Sequence, residues 1–149
     1  MMDDLVIVII RQLAIAALLV TTTVIMHFFG LFLLTAFVRV NQRRLSRDSM
    51  HIDQIAVLIA AVLGVFAIHS AEIWLYALFY DFMHVFKTLE DALYFSLTSY
   101  ATIGYGDVVL SHEWRILGAI EGVNGILLLG WSIAFLVAVV GRFRHMQHR

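Results

Sequence analysis

Apolar residues fill three long runs of the chain, and short polar segments separate them. The first run covers residues 13–38 without a charged residue, the second about 55–80 and the third about 116–140. Each run is at least as long as the roughly 20 residues that a helix needs to cross the hydrocarbon of a bilayer. The pattern therefore predicts three transmembrane helices, of which the first, extended by residues 5–10, should be tilted or overlong.

A shorter helical pattern lies between the second and third runs. Thr88 can cap a helix whose third residue is Asp91, and the pattern continues from Leu89 to about Tyr100. A helix of that length measures roughly 18 Å, about half of a membrane. It is too short to span, so we expect it to enter the membrane and turn back as a re-entrant element that protein or water surrounds.

Composition points to the same class of protein. Of the 149 residues, 62% are hydrophobic and 14% are charged, which is more apolar surface than a soluble core of this size could bury. The absence of cysteine excludes disulfides, and a net charge of −1 argues against a nucleic-acid partner. We therefore expect an all-α integral membrane protein in contact with the lipid bilayer.

Charged residues predict the orientation of the chain. Segments next to membrane helices that are rich in arginine remain in the cytoplasm. We therefore expect the N-terminus outside, the C-terminus in the cytoplasm, and the protein in the plasma (inner) membrane. The arginines are Arg39, Arg43, Arg44 and Arg47 after the first run and Arg142, Arg144 and Arg149 after the third, and Asp3 and Asp4 then lie outside.

The six residues 102–107, which read TIGYGD, follow the short helix directly. A K⁺ ion gives up its hydration water only where other oxygens replace it, so a filter needs successive backbone carbonyls aimed at one axis. Gly104 and Gly106 can adopt the left-handed dihedrals that such a backbone requires. Thr102 adds a hydroxyl at one end of the segment, and Asp107 adds a carboxylate at the other.

These residues resemble the TVGYGD signature of pore-loop potassium channels, with Ile103 in place of valine, and the resemblance covers roughly residues 88–142. It implies a small, prokaryotic-like member with an extra N-terminal helix. The implied K⁺-binding filter residues are Thr102, Ile103, Gly104, Tyr105 and Gly106, with Asp107 at the outer mouth. The implied segments are an N-terminal helix in 1–40, a basic cytoplasmic linker in 41–53, a pore domain in 54–142 and a cytoplasmic tail in 143–149. Within the pore domain we expect the outer helix at 54–80, the pore helix at 88–100, the filter at 102–107 and the inner helix at 116–141.

The resemblance also implies the partners. One filter sequence per chain means that a fourfold pore needs a homotetramer. K⁺ ions in the filter are the expected ligands, held at Thr102, Ile103, Gly104 and Tyr105, and no organic cofactor or fused ligand-binding domain is expected. No nucleophile, base and orienting group recur at catalytic spacing, so we do not expect an enzyme.

Several positions around the filter depart from the usual pattern. Tyr94 and Phe95 stand where many members carry two tryptophans that brace the filter tyrosine. Ser99 matches a common hydroxyl position, whereas Thr98 stands where one bacterial type has a glutamate that pairs with the filter aspartate. Ala101 replaces a frequent hydroxyl residue. These departures leave two alternatives to a potassium-selective channel, namely a weakly selective cation channel and a non-conducting accessory subunit.

The third run contains unusual residues for a membrane helix. Gly125 is the best match to the hinge glycine of potassium channels, with Gly130 further along, and the alternative is that these glycines only permit close packing. Glu121 and Asn124 share one face, because they are three residues apart in a helix. They either attract cations at the pore or bond to the back of the pore helix, and we favour the second role for Glu121.

Polar residues in the other two runs suggest contacts between helices. Arg11 and Glu72 could pair near the outer surface, which would spare two charges from lipid. His69 lies one turn from Glu72 and could titrate with it, although a satisfied interface histidine is the more common case. We expect His27 to make a hydrogen bond between helices. His145 and His148 in the basic tail lack further ligands for a metal site.

Overall fold

The computed structural model describes the backbone of residues 2–44 and 50–147 and the side chains of residues 5–41 and 53–141. This part of the chain forms four helices and no strand, so the predicted all-α class is confirmed. The helices are α1 (Met2–Arg44), α2 (Met50–Phe82), α3 (Leu89–Tyr100) and α4 (Arg115–Gln147).

Three of the four helices are long and apolar enough to cross a membrane, over Leu5–Asn41, Asp53–Phe82 and Arg115–Gly141. Large apolar side chains are exposed along them, including Phe32 on α1, Phe66 on α2 and Leu127 on α4. Surfaces of this kind are stable in lipid rather than in water. The chain is therefore an integral membrane protein.

The long helices extend beyond the predicted limits. α1 has 43 residues, and a helix of that length measures about 65 Å, roughly twice the hydrocarbon thickness. α2 begins at Met50, and α4 continues to Gln147, so helix enters the segments predicted as a linker and a tail. Polar residues such as Arg and Gln favour helix as strongly as leucine does. Hydropathy therefore marks the membrane-embedded part of a helix better than its ends.

The short helix α3 begins where the sequence predicts it. Thr88 has the extended backbone of an N-cap, with φ −131° and ψ 152°, and its hydroxyl oxygen accepts a hydrogen bond from the amide of Asp91 at 3.1 Å. The same hydroxyl donates to the Asp91 carboxylate at 2.8 Å. Glu90 and Asp91 place negative charge in the first turn, where the helix dipole is positive.

Aromatic side chains pack around α3 and form the main core. Phe95 of α3 contacts Tyr80 of α2 edge-on, with ring centres 5.6 Å apart. Trp114, just before α4, meets Phe79 in the same edge-on geometry. A smaller cluster joins α1, α2 and α4 elsewhere through Val38, Val57, Ala61 and Val139. The core residues around α3 are Ala16, Leu19, Ile73, Tyr76, Tyr80, Ala92, Phe95, Tyr100, Leu110, Trp114, Leu117 and Leu128.

The first helix is an integral part of this core. Gln12 is 1% exposed, and its side-chain oxygen accepts hydrogen bonds from the amides of Ile116 at 3.0 Å and Leu117 at 3.4 Å. A residue of α1 therefore caps the first turn of α4, whose amides have no partner within their own helix. Deeper in the membrane region, the Asn124 side-chain amide of α4 donates to Thr23 of α1 at 2.8 Å.

The predicted ion pair between Arg11 and Glu72 is wrong. Arg11 lies 3.9 Å from Glu113 and sits over the Trp114 ring, 5.2 Å from its centre, while Glu72 bonds to His27 of α1. His27 lies about 24 Å further along α1 than Arg11, given the rise of a helix. Counting residues from the chain ends misjudged the register between α1 and α2 by several turns.

Several residues of the charge argument lie outside the described residues. Arg47 and Arg149 are in undescribed segments, as is His148 of the tail pair. For Asp3, Asp4, Arg43, Arg44, Arg142, Arg144 and His145 the helix backbone alone is described.

Candidate functional site

Residues 102–107, called here the signature loop, leave the end of α3 and fold back onto it. The Thr98 carbonyl accepts two hydrogen bonds from the loop, from the amide of Ile103 at 2.8 Å and from that of Gly104 at 3.1 Å. The Thr102 amide donates to the Ser99 carbonyl at 3.0 Å. The last turn of α3 therefore fixes where the loop begins.

The backbone of the signature loop alternates between two conformations. Thr102 has φ 57°, Gly104 has φ 57° and Gly106 has φ 80°, whereas Ile103 and Tyr105 between them are not in the left-handed region. The left-handed glycines are confirmed, and Thr102 is a third such residue that the sequence did not predict. Alternation of this kind lets successive carbonyls face one side of a strand.

Backbone conformation, and not a lack of space, favours glycine at positions 104 and 106. A Cβ atom built on Gly104 or Gly106 would meet nothing within 4 Å in the described part of the chain. An L-residue with a side chain resists a φ of 57° or 80°, at a cost of roughly 1 kcal/mol or more. A substitution here would strain the backbone without a steric clash.

A hydrogen bond from α3 holds the outer end of the loop. The Tyr94 hydroxyl donates to the Asp107 carboxylate at 2.8 Å, and the Val108 amide donates to the other carboxylate oxygen at 3.0 Å. The bond from Tyr94 is the main cause that lowers the pKa of Asp107, and the same bond raises the pKa of Tyr94. Both side chains are charged or polar at the surface, so the bond orients the carboxylate rather than burying it.

The other predicted support positions behave differently from one another. Thr98 turns its hydroxyl back to the Tyr94 carbonyl of its own helix at 3.0 Å, so it does not pair with Asp107. Phe95 is buried in the aromatic core, while Tyr105 is 70% exposed. Ser99 contributes its carbonyl to the loop start, and Ala101 is half-buried. Among the described residues of this group, Tyr94 is the one whose side chain bonds to the outer end of the loop.

Glu121 lies behind α3 and not on an open surface. It is fully buried, and it accepts hydrogen bonds from the hydroxyl of Tyr80 on α2 at 2.8 Å and from that of Ser96 on α3. The carboxylate therefore joins three helices. This geometry matches the scaffold role and contradicts a position facing the pore.

Asn124 is also buried within the described chain, which agrees with the alternative in which this face bonds to neighbouring helices. Its side-chain amide donates to Thr23 at 2.8 Å and to the Tyr76 hydroxyl at 3.2 Å, and the residue is 2% exposed. The face that Glu121 and Asn124 share points at α1, α2 and α3, which all pack against it.

Gly125 is a position of very close packing. A Cβ atom there would lie 2.1 Å from the Tyr100 carbonyl oxygen, which belongs to the last residue of α3. A backbone group cannot move aside as a flexible side chain can, so this glycine is required for the approach of α4 to the loop start. Gly130, in contrast, has no atom within 4 Å of such a Cβ among the described residues.

A second polar cluster, which the sequence did not predict as a unit, surrounds Glu72. His27 and His69 both bond to its carboxylate, at 3.0 and 3.1 Å, and the Tyr100 hydroxyl donates to it as well. The hydrogen bond between helices that was expected of His27 is confirmed. The available signal was that each of the three long apolar runs contains polar residues, among them His27, Glu72 and Ser132.

The signature loop is exposed in the single chain. Ile103 is 52% exposed, Tyr105 70% and Val109, just beyond it, 67%. Large apolar side chains at the end of an otherwise well-packed helix form a surface that water does not favour.

Comparison with known proteins agrees with this architecture. A family model described as "Ion channel" matches residues 55–142, which is more than half of the chain. No curated protein and no solved structure matches the chain. The matched segment begins in α2 and ends in α4, so it includes α3 and the signature loop and leaves out α1. The chain therefore belongs to this family of ion channels with a two-helix pore domain.

Proposed function

We propose that this ion channel is selective for K⁺ and conducts it passively through a pore whose filter is the signature loop. The observation that supports this most directly is the alternation of left-handed residues at Thr102, Gly104 and Gly106. Backbone carbonyls presented in this way replace the hydration shell of K⁺. The carbonyls of 102–105 and the Thr102 hydroxyl are the proposed ligands of the ion, which is the cargo of the channel.

The position of α3 supports a pathway for cations. Its residues include no basic side chain in the last turn, so nothing within the helix offsets the partial negative charge of its C-terminal carbonyls. This end lies against Gly125 of α4, next to the start of the loop. A partly dehydrated cation near this end would be stabilised.

We propose a homotetramer, because one loop supplies only a quarter of a fourfold filter. The exposed loop residues Ile103, Tyr105 and Val109 would then be covered by neighbouring subunits. In this assembly residues 54–142 form the pore domain, and α1 packs at its periphery. We further propose a plasma-membrane location with the N-terminus outside and the C-terminus in the cytoplasm.

One observation favours a second candidate, a weakly selective cation channel. Phe95 is packed in the core and Ala101 has no hydroxyl, so among the described residues Tyr105 has no bracing hydrogen bond from α3. A filter that is held less tightly would discriminate less well between K⁺ and Na⁺.

Flux from liposomes tests the proposal. We expect K⁺ and Rb⁺ to leave liposomes that contain the purified protein, Na⁺ to leave slowly, and Ba²⁺ to block the flux. Equal flux of Na⁺ would favour the weakly selective channel. If no cation leaves, conduction by this chain alone is wrong, and an accessory subunit becomes the better account.

A pair of glycine substitutions ties the flux to the loop. Gly104→Ala should abolish K⁺ flux, because the residue has φ 57° and sits among the proposed ligands. Gly141→Ala is the matched control, since a Cβ there meets no described atom within 4 Å and α4 favours alanine. Flux that survives Gly104→Ala would refute the proposed path.

A further inference from the structure

Side chains from all four helices meet in one buried cluster, called here the Glu72 cluster. It consists of His27 from α1, His69 and Glu72 from α2, Tyr100 from α3 and Ser132 from α4. None of the five is more than 7% exposed. Buried polar groups in a membrane-spanning region are costly and are found where they have a specific role.

The cluster brings nitrogen and oxygen atoms close to one another. The Nδ1 atom of His27 lies 3.0 Å from one oxygen of Glu72, and the Nδ1 atom of His69 lies 3.1 Å from the other. The Tyr100 oxygen lies 3.0 Å from Nδ1 of His69. One ligand atom from each of His27, His69 and Glu72 falls within 4.8 Å of the others. Bonds of about 2.0–2.2 Å from these atoms to a Zn²⁺ ion would require spacings of this order.

The far sides of the two imidazole rings also converge. The Ser132 hydroxyl oxygen lies 2.9 Å from Nε2 of His69 and 3.3 Å from Nε2 of His27. If both rings are neutral and both Nδ1–H groups donate to Glu72, each Nε2 atom needs a donor. A serine hydroxyl has one proton, so one buried ring nitrogen is left without a donor among the described residues. Two neutral rings that both donate from Nδ1 therefore do not satisfy this arrangement.

We propose that the Glu72 cluster binds a divalent transition-metal ion of the Zn²⁺ type, through Nδ1 of His27, Nδ1 of His69, the Glu72 carboxylate and the Tyr100 oxygen. With a metal on both Nδ1 atoms, each ring proton moves to Nε2. The Ser132 oxygen has two lone pairs and accepts both Nε2–H groups. Metal-bound histidines in proteins commonly donate their other ring proton in this way.

Charge balance is consistent with the same set of ligands. Zn²⁺ brings two positive charges, Glu72 supplies one negative charge, and Tyr100 supplies the second if its hydroxyl proton leaves to solvent when the metal binds. Each ion bound to two neutral rings then releases one proton, and the occupied site is neutral. An additional proton on one ring would also complete these hydrogen bonds, with both Nδ1 atoms on Glu72 and both Nε2 atoms on Ser132. Metal content separates the two cases.

A metal here would link the extra helix to the pore. His27 is in α1, and Tyr100 is the last residue of α3, two positions before Thr102 of the signature loop. The ion would fix the distance between α1, α2 and the start of that loop. This inference does not depend on K⁺ selectivity, because a metal can be measured without any flux.

Metal content tests the proposal. The full chain, purified without a polyhistidine tag, is incubated with Zn²⁺, freed of excess ion by gel filtration and analysed by mass spectrometry for zinc. We expect about one zinc per subunit in the wild type and less than a tenth of that in His27→Gln and His69→Gln. His112→Gln, at an exposed position outside the cluster, is the matched control and should retain zinc fully. The doubly substituted tail, His145→Gln with His148→Gln, should also retain it.

Two further measurements keep the test decisive if a histidine variant does not fold. X-ray absorption at the zinc edge of the wild type should show two imidazole nitrogens among the ligands. Ser132→Ala should weaken binding by about 10–100-fold, because it removes the acceptor of both ring protons. Wild-type protein that retains no zinc would overturn the proposal and favour the additional proton. Zinc held equally by the His27 and His69 variants, or by oxygen ligands alone, would overturn it too.

Discussion

The Tyr94 hydroxyl of α3 and the Asp107 carboxylate at the outer end of the signature loop are joined by a hydrogen bond of 2.8 Å. It is the side-chain contact by which α3 holds the far end of a loop whose near end is fixed by backbone bonds to Thr98. The loop is therefore attached to one short helix at both ends.

Removal of this bond should loosen the loop without removing its backbone ligands. We expect Tyr94→Phe to lower the temperature up to which K⁺ protects the proposed tetramer from dissociation in detergent, while K⁺ flux persists. Asp107→Asn should have a similar effect, and the double variant should be no worse than either single one, since the two share one interaction. Additive losses in this cycle would show that the contact does not stabilise the loop.

The same contact predicts a dependence on pH. The pKa of Asp107 is lowered by the bond from Tyr94, so its stabilising contribution is present above the ordinary aspartate value of about 3.9 and is lost as pH falls through the lowered value. The pKa of Tyr94 is raised, so its contribution is present below about 10 and is lost at higher pH. We expect loop stability to be flat near neutral pH and to fall in strong acid. In Tyr94→Phe the fall should be smaller, because the bond that lowers the Asp107 pKa is gone, and an unchanged profile would contradict the assignment.

Gly125 gives a test of close packing. An added Cβ would lie 2.1 Å from the Tyr100 carbonyl oxygen, so Gly125→Ala must displace backbone and should destabilise the fold by about 1–3 kcal/mol. Gly141→Ala should be neutral or stabilising by up to about 1 kcal/mol, because its space is open among the described residues. Unfolding in detergent with increasing denaturant measures both. Equal stabilities would show that α4 does not approach α3 this closely.

Glu121 distinguishes a scaffold role from a pore role. Glu121→Ala removes the acceptor of the Tyr80 hydroxyl, and a buried unsatisfied group costs about 1–3 kcal/mol. The Ser96 hydroxyl keeps its second acceptor, the Ile73 carbonyl at 3.1 Å. We expect less assembled protein but unchanged K⁺ over Na⁺ selectivity in the fraction that assembles. If stability is unchanged and conductance falls, the carboxylate acts on the ion path instead.

A substitution at Gln12 tests whether α1 stabilises the pore domain. Gln12→Leu removes the cap from the first turn of α4 and should cost about 0.5–2 kcal/mol, the usual range for helix caps. Arg11→Gln is the control, because its contact with Glu113 is exposed and such pairs are worth about 0–1 kcal/mol. Thermal unfolding in detergent compares the two. An equal effect of both substitutions would mean that the cap is not formed.

The sequence predicts the parts of this structure that depend on local pattern. Three apolar runs gave three long helices, Thr88 with Asp91 gave the start of α3, and the glycines at 104 and 106 gave the left-handed positions of the loop. Each depends on hydropathy, capping or dihedral preference within a few residues. The ends of the long helices were less certain, because arginine and glutamine continue a helix beyond the lipid.

Contacts between distant segments could not be predicted in the same way. Arg11 was paired with Glu72 on the basis of depth alone, whereas packing of α1 brings His27 to Glu72 instead. The cap from Gln12 to α4 has no sequence signal either, since it joins residues about a hundred positions apart. A shift of one helix by a single turn, roughly 5.4 Å, exchanges every such partner.

The measurement that tests the central claim most directly is the reversal potential of the purified channel in a planar bilayer, with K⁺ on one side and an equal concentration of Na⁺ on the other. A loop that selects K⁺ by its backbone carbonyls predicts current that reverses far from zero, in the direction set by K⁺, and that Ba²⁺ blocks. Current that reverses close to zero would contradict K⁺ selectivity.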